Sequence, residues 1–102
     1  MAEVLQSQID AWKQQYVSVS RFKLKDESGN QYVCYVRRPT VKEIDYASLN
    51  LSRGAYNQYG IVLFNTCYLG GDDISKDEYL QMAAGQYMNG LIEAVEVEVE
   101  KL

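Results

Sequence analysis

Ser20 and Lys23 stand three residues apart in Ser20-Arg21-Phe22-Lys23. That is the spacing of the serine–lysine pair in some acyl-transferring enzymes. Such a pair needs both side chains on one side of a helical turn. The residues around it alternate as a strand does, and strand positions three apart point to opposite faces. The match is therefore read as coincidence. Asp72, Asp73, Asp77 and Glu78 gather four carboxylates, but without the alternating ligands and central glycine of a calcium loop. They suit a helix N-terminus, where the dipole favours negative charge. Gly70-Gly71 is not followed by Lys and Ser or Thr, so it is no phosphate loop. The chain has no histidine, which removes the commonest general base and the commonest metal ligand. Cys34 and Cys67 cannot close a zinc site by themselves. In their apolar settings they are expected to be reduced and buried. No catalytic residue, cofactor site or metal site is expected, and the chain is not expected to be an enzyme.

The remaining function class is binding. One domain over residues 1–102 is expected, with 47% hydrophobic residues, enough for a core without staples. A net charge of −4 argues against a nucleic-acid domain and against adsorption to an anionic membrane. No secretory signal is recognisable, and the longest apolar run, residues 61–64, is far too short to span a bilayer. A cytoplasmic location is expected. Nine tyrosines stand against two phenylalanines and one tryptophan. Tyrosine joins an apolar ring to a polar tip and suits protein interfaces.

The expected fold class is α+β: an N-terminal helix, a β-hairpin, a three-helix core, and a closing strand that joins the hairpin. Leu5, Ile9, Trp12 and Tyr16 recur at helical spacing and predict a first helix over residues 2–16. Residues 21–25 alternate basic and apolar side chains, and a strand returns over residues 30–37. Asp26 and Gly29 fit the ends of a type I turn, with Gly29 at positive φ. This register puts Phe22, Leu24, Tyr32, Cys34 and Val36 on one face. Arg21, Lys23, Lys25, Val33 and Tyr35 fall on the other. The basic face with Tyr35 has the chemistry to hold single-stranded nucleic acid, but three cations on an acidic domain are a weak signal.

Pro39 ends the strand, and Thr40-Val41-Lys42-Glu43 reads as a capping box. Val41, Ile44, Ala47 and Leu51 are the expected buried stripe of the second helix. A third helix over residues 55–69, apolar nearly all round, is expected at the centre, with Gly70-Gly71 as its stop. Ser75-Lys76-Asp77-Glu78 reads as a second capping box. Leu80, Ala83, Ala84, Tyr87, Leu91 and Ile92 are the expected apolar face of the fourth helix. Residues 95–100 alternate valine and glutamate. They fit a strand, and with Met88, Ile92 and Leu102 they also fit a helical stripe. The strand is preferred because its glutamates would complement Arg21, Lys23 and Lys25 in antiparallel pairing.

Tyr56, Tyr59, Tyr68, Tyr79 and Tyr87 cannot all be internal. Tyr56, Tyr59, Tyr79 and Tyr87 are the candidate partner-binding residues, expected to border a groove between the third and fourth helices.

The order of features carries a resemblance. A short helix and a hairpin precede Arg37-x-Pro39-Thr40-x-x-Glu43. An aliphatic-rich helix then runs into Cys67-Tyr68-Leu69-Gly70-Gly71, and a capped helix and a valine-rich charged tail follow. Over most of its length, from about Phe22 onward, the chain resembles the small tail assembly chaperones of long-tailed bacteriophages and prophages. The resemblance implies a non-enzymatic factor that coats the tape-measure protein, keeps it soluble, and is displaced as tail-tube subunits polymerise. It implies the cytoplasm of the bacterial host, absence from the mature virion and weak self-association. In many members translational frameshifting also yields a longer form. No functional residue is transferred from the family. The alternative class is a small intracellular adaptor or regulatory protein-binding domain unrelated to phage. Tape-measure and tail-tube genes beside this one would separate the two.

Overall fold

The computed structural model describes residues 3–92 and 95–102. The fold is α+β. Its order is α1 (Gln6–Gln15), β1 (Val19–Lys25), β2 (Gln31–Arg37), α2 (Val41–Ser52), α3 (Tyr56–Cys67), β3 (Tyr68–Gly71) and α4 (Glu78–Ile92). The three strands form one antiparallel sheet, β1-β2-β3.

The hairpin follows from its local chemistry. Asp26 accepts from the Gly29 N–H through its carbonyl at 3.1 Å, and its carboxylate accepts from the Ser28 and Asn30 N–H groups. Gly29 has φ +88°, a region that costs L-residues with a Cβ. Phe22 pairs with Cys34 and Leu24 with Tyr32, so one sheet face is apolar, as the alternation requires. Against this face lie Phe64 and its neighbours. Phe22 and Phe64 have ring centroids 6.4 Å apart, and Phe64 and Tyr68 6.1 Å. Cys34, Val36, Ala47, Leu63, Phe64, Cys67, Ala84 and Met88 make the innermost core. On the other sheet face Trp12 of α1 lies over Tyr35, with ring centroids 5.7 Å apart, while Arg21, Lys23 and Lys25 stay exposed. The expected start of α1 at residue 2 lies outside the described residues. Leu5 is exposed rather than part of the buried stripe, because the helix begins after it.

The Thr40–Glu43 capping box forms as expected: the Glu43 N–H donates to Thr40 Oγ1, and the Thr40 N–H to Glu43 Oε1. Glu43 also receives a two-pronged ion pair from Arg37, with Nη1–Oε1 at 2.7 Å and Nη2–Oε2 at 2.8 Å. Arg37 Nη2 donates further to the Thr66 carbonyl in the last turn of α3, where intrahelical donors are lacking. The guanidinium sits 5.7 Å from the centre of the Tyr16 ring. One side chain thus ties the end of β2 to both following helices and to the segment after α1.

This clamp sets a pH dependence. The hydrogen bond from Arg37 holds the Glu43 carboxyl down at about 2 against its ordinary 4.5. A carboxyl lowered on folding adds stability above its unfolded value and loses it as pH falls toward its folded value. The pair is partly solvated, which weakens it, so the expected contribution is about 2 kcal/mol. Urea unfolding of the parent should lose this amount between pH 4.5 and 2. Glu43→Gln should be less stable at neutral pH and flatter across that window. Parallel profiles for the two proteins would refute the clamp.

Five further expectations about the fold are corrected. The helix ends at Cys67, and Tyr68–Gly71 forms a third strand. Gly71 does take positive φ, +103°, but as the last residue of a strand rather than a helix cap. The cap of α4 is Asp77, not Ser75. Asp77 Oδ1 accepts from the Tyr79 and Leu80 N–H groups, while the Ser75 N–H is turned to Asp73. In α2, Val41 and Leu51 are exposed and Ala47 carries the contact. In α4 the buried face is Leu80, Gln81, Ala84, Gly85 and Met88, so Ala83 and Tyr87 point outward. Backbone contact between Gly85 and Gly60 sets that rotation, and it brings in Gln81. The amide of Gln81 is satisfied by the Ser75 carbonyl and by Asn65.

The fifth concerns residues 95–100, which pair with no strand among the described residues and are exposed. The N-terminal end of α4, at Asp77, Tyr79 and Leu80, lies beside Lys25 and the hairpin turn. Farther along, Ala84 and Tyr87 border the same groove as Arg21. Over 15 residues it travels about 22 Å at 1.5 Å per residue. The segment therefore starts from the end of α4 that lies away from Lys25. Antiparallel pairing with its own β1 would have to begin at the Lys25 end, and Val95 is at most about 11 Å from Ile92 by chain geometry.

Candidate protein-binding surface

The four candidate tyrosines do not share one groove. The helices α3 and α4 run antiparallel, as the contacts of Tyr59 with Asn89 and of Asn65 with Gln81 require. Between those contacts Gly60 and Gly85 touch through their backbones, and this crossing leaves no room for a client helix. Tyr56 is exposed at the start of α3, near the far end of α4. Tyr59 is half-buried, its hydroxyl 3.5 Å from Asn89 Oδ1, and burial pushes its phenol pKa up. It packs against the core rather than offering a free ring.

Tyr79 and Tyr87 belong together. They are 80% and 72% exposed and stand two helical turns apart, with exposed Ala83 between them. Residues four apart on a helix lie on one face, so the three make a small outward stripe along α4. Its flank opens into a groove of roughly 470 Å³ between α4 and β1. Phe22, Leu24, Leu80 and Ala84 give the groove apolar walls, while Arg21, Lys23 and Lys25 line its strand side. Arg21 is held by Tyr35, with Nε 3.1 Å from the hydroxyl and the guanidinium 5.4 Å from the ring centre.

A second exposed set was not expected from periodicity. Val41, Tyr46 and Leu49 stand out from α2 at 74%, 69% and 55% exposure. Their spacing of three to five was visible in the sequence. The stripe through Ile44 and Ala47 was the better helical fit and absorbed the apolar signal.

The thiols are poor nucleophiles. Cys34 and Cys67 are free and buried. Burial pushes both pKa values up to about 11, helped at Cys34 by Asp72 and Asp73. Thiolate is the reactive form. The acidic cluster is likewise committed to structure: Asp72 is buried and its carboxylate accepts from the Val33 N–H at 2.8 Å. Among the described residues no group of three or more His, Cys, Asp or Glu side chains is placed to hold a metal, and no helix is long and apolar enough to cross a membrane.

Comparison with known protein families, with curated proteins and with solved structures finds no match.

Proposed function

We propose that this chain is a non-enzymatic assembly factor that binds a long client protein and keeps it soluble, the client being a phage tape-measure protein. The observation that carries the reading is the exposed Tyr79–Ala83–Tyr87 stripe beside an apolar groove. Large aromatics in the solvent are what a helix-binding face presents when its partner is away. The layout of the sequence, from the hairpin through Arg37-x-Pro39-Thr40-x-x-Glu43 to the valine-rich tail, supports the tail-chaperone class. A net charge of −4 suits a factor that coats a client in many copies without precipitating. On this reading the factor works in the host cytoplasm, gives way to tail-tube protein and is left out of the virion.

The test is co-expression with the long, helix-rich product encoded beside it. The client should be soluble and co-purify with the parent chain. Tyr87→Ala and Tyr79→Ala together should weaken capture by about tenfold or more, as expected for loss of interface aromatics. Tyr59→Phe should leave it unchanged. A client equally soluble alone, with no co-purification, would leave the generic adaptor as the better account.

A further inference from the structure

We propose that the outer edge of β1 is an acceptor for residues 95–100 of a second copy of this chain, so that copies join head to tail by strand addition. The edge is open: the sheet order is β1-β2-β3, and no described strand lies beyond β1. Toward β2, the Asp26 N–H bonds the Asn30 carbonyl and the Ser18 carbonyl accepts from Arg38. Backbone groups on a strand alternate sides, so Arg21, Lys23 and Lys25 turn their N–H and C=O groups to the open edge.

Residues 95–100 have the pattern this edge accepts. They are exposed, with Val95, Val97 and Val99 at 64%, 81% and 88%. Valine is a strong strand former, yet among the described residues no strand takes them up. Placed antiparallel with Glu98 opposite Lys23, the strand also sets Glu96 opposite Lys25 and Glu100 opposite Arg21. Its valines then fall on the other face, beside Phe22 and Leu24, and enter the groove walled by Leu80 and Ala84. One register satisfies both charge and burial.

Charge also selects the occupant. Two β1 edges paired together would oppose Arg and Lys with their like, and two 95–100 segments would oppose glutamates. Like charges directly opposite destabilise a strand pair. Only the segment-on-edge pairing is complementary. Its own segment starts from the end of α4 away from Lys25, where this antiparallel register has to begin, so the donor is another molecule. Because donor and acceptor surfaces differ, the contact is heterologous and propagates into chains or rings.

The experiment uses the full chain alone, so its outcome is separate from the client reading. Sedimentation equilibrium should show mass rising with concentration, more steeply at low salt. Glu98→Pro removes the ladder donor opposite Lys23, outside the packed fold, and should weaken association on the order of a hundredfold. Lys23→Glu with Lys25→Glu should weaken it by about tenfold or more. Mixing these two variants should give a dimer and nothing longer, since one intact donor meets one intact acceptor. Adding Glu96→Lys and Glu98→Lys to the Lys23→Glu/Lys25→Glu chain should restore association. A parent that stays monomeric at millimolar concentration overturns the proposal. So does a Glu98→Pro chain that associates as the parent does, or a mixture that stays monomeric.

Discussion

Gly71→Ala should cost more than about 3 kcal/mol, the sum of a left-handed backbone and an overlap in the sheet. Gly71 has φ +103°, and a Cβ there would meet the Val33 carbonyl oxygen, a backbone atom of the neighbouring strand. The adjoining groups cannot move aside easily. The Asp72 N–H donates to that same carbonyl at 2.8 Å, and the Asp72 carboxylate accepts from the Val33 N–H. Gly29 is the internal control: its φ is +88°, but a Cβ would have nothing within 4 Å. Gly29→Ala should cost only about 1 kcal/mol, the backbone term alone. Urea unfolding of the two variants separates conformational strain from steric overlap. Equal losses would mean that β3 does not approach β2 as closely as described.

What was legible in the sequence was what short spans decide. The hairpin register follows from alternation on either side of a four-residue turn. The capping box at Thr40 and Glu43 lies within four residues. Pairings that close over many residues were not legible. Tyr68-Leu69-Gly70-Gly71 reads locally as a helix end. It becomes a strand because β2 offers an edge more than thirty residues away and because Gly70 makes room for Trp12, whose ring atoms lie 2.9 and 3.2 Å from where a Cβ would sit. Residues 95–100 read locally as a strand, and their alternation is real. The direction in which α4 delivers the segment decides the pairing, and that direction is a property of the assembled fold.

The candidate surface was legible in the same uneven way. An excess of tyrosine pointed to exposed rings, and Tyr56, Tyr79 and Tyr87 are exposed. Their grouping depended on the rotation of α4. Periodicity favoured a face containing Ala83 and Tyr87, because glycine and glutamine carry little apolar weight. In the fold Gly85 and Gln81 face inward, and the tyrosine is turned out toward β1. Small residues that permit close approach leave no hydrophobic signal of their own.

That rotation rests on one contact and leads to the second large effect. A Cβ on Gly85 would lie 2.5 Å from the Gly60 carbonyl carbon and 2.8 Å from its oxygen. A Cβ on Gly60 would meet the Gly85 backbone at 2.9 Å. Both obstacles are main chain in helix interiors, so relief requires the helices to separate. Helix propensity works the other way: alanine is favoured over glycine by about 1 kcal/mol in a helix. Gly90 lies on the same helix with nothing within 4 Å of its missing Cβ. Two glycine-to-alanine changes five residues apart in α4 should therefore have opposite signs. Gly90→Ala should stabilise by about 0.5–1 kcal/mol. Gly85→Ala should destabilise by about 2 kcal/mol or more, overpacking outweighing propensity. Separation of α3 and α4 would also swing Tyr79 and Tyr87 relative to β1, so Gly85→Ala should lose client capture where Gly90→Ala keeps it. Chemical denaturation of both variants decides the matter. Stabilisation by Gly85→Ala would show that the two helices do not meet through their backbones.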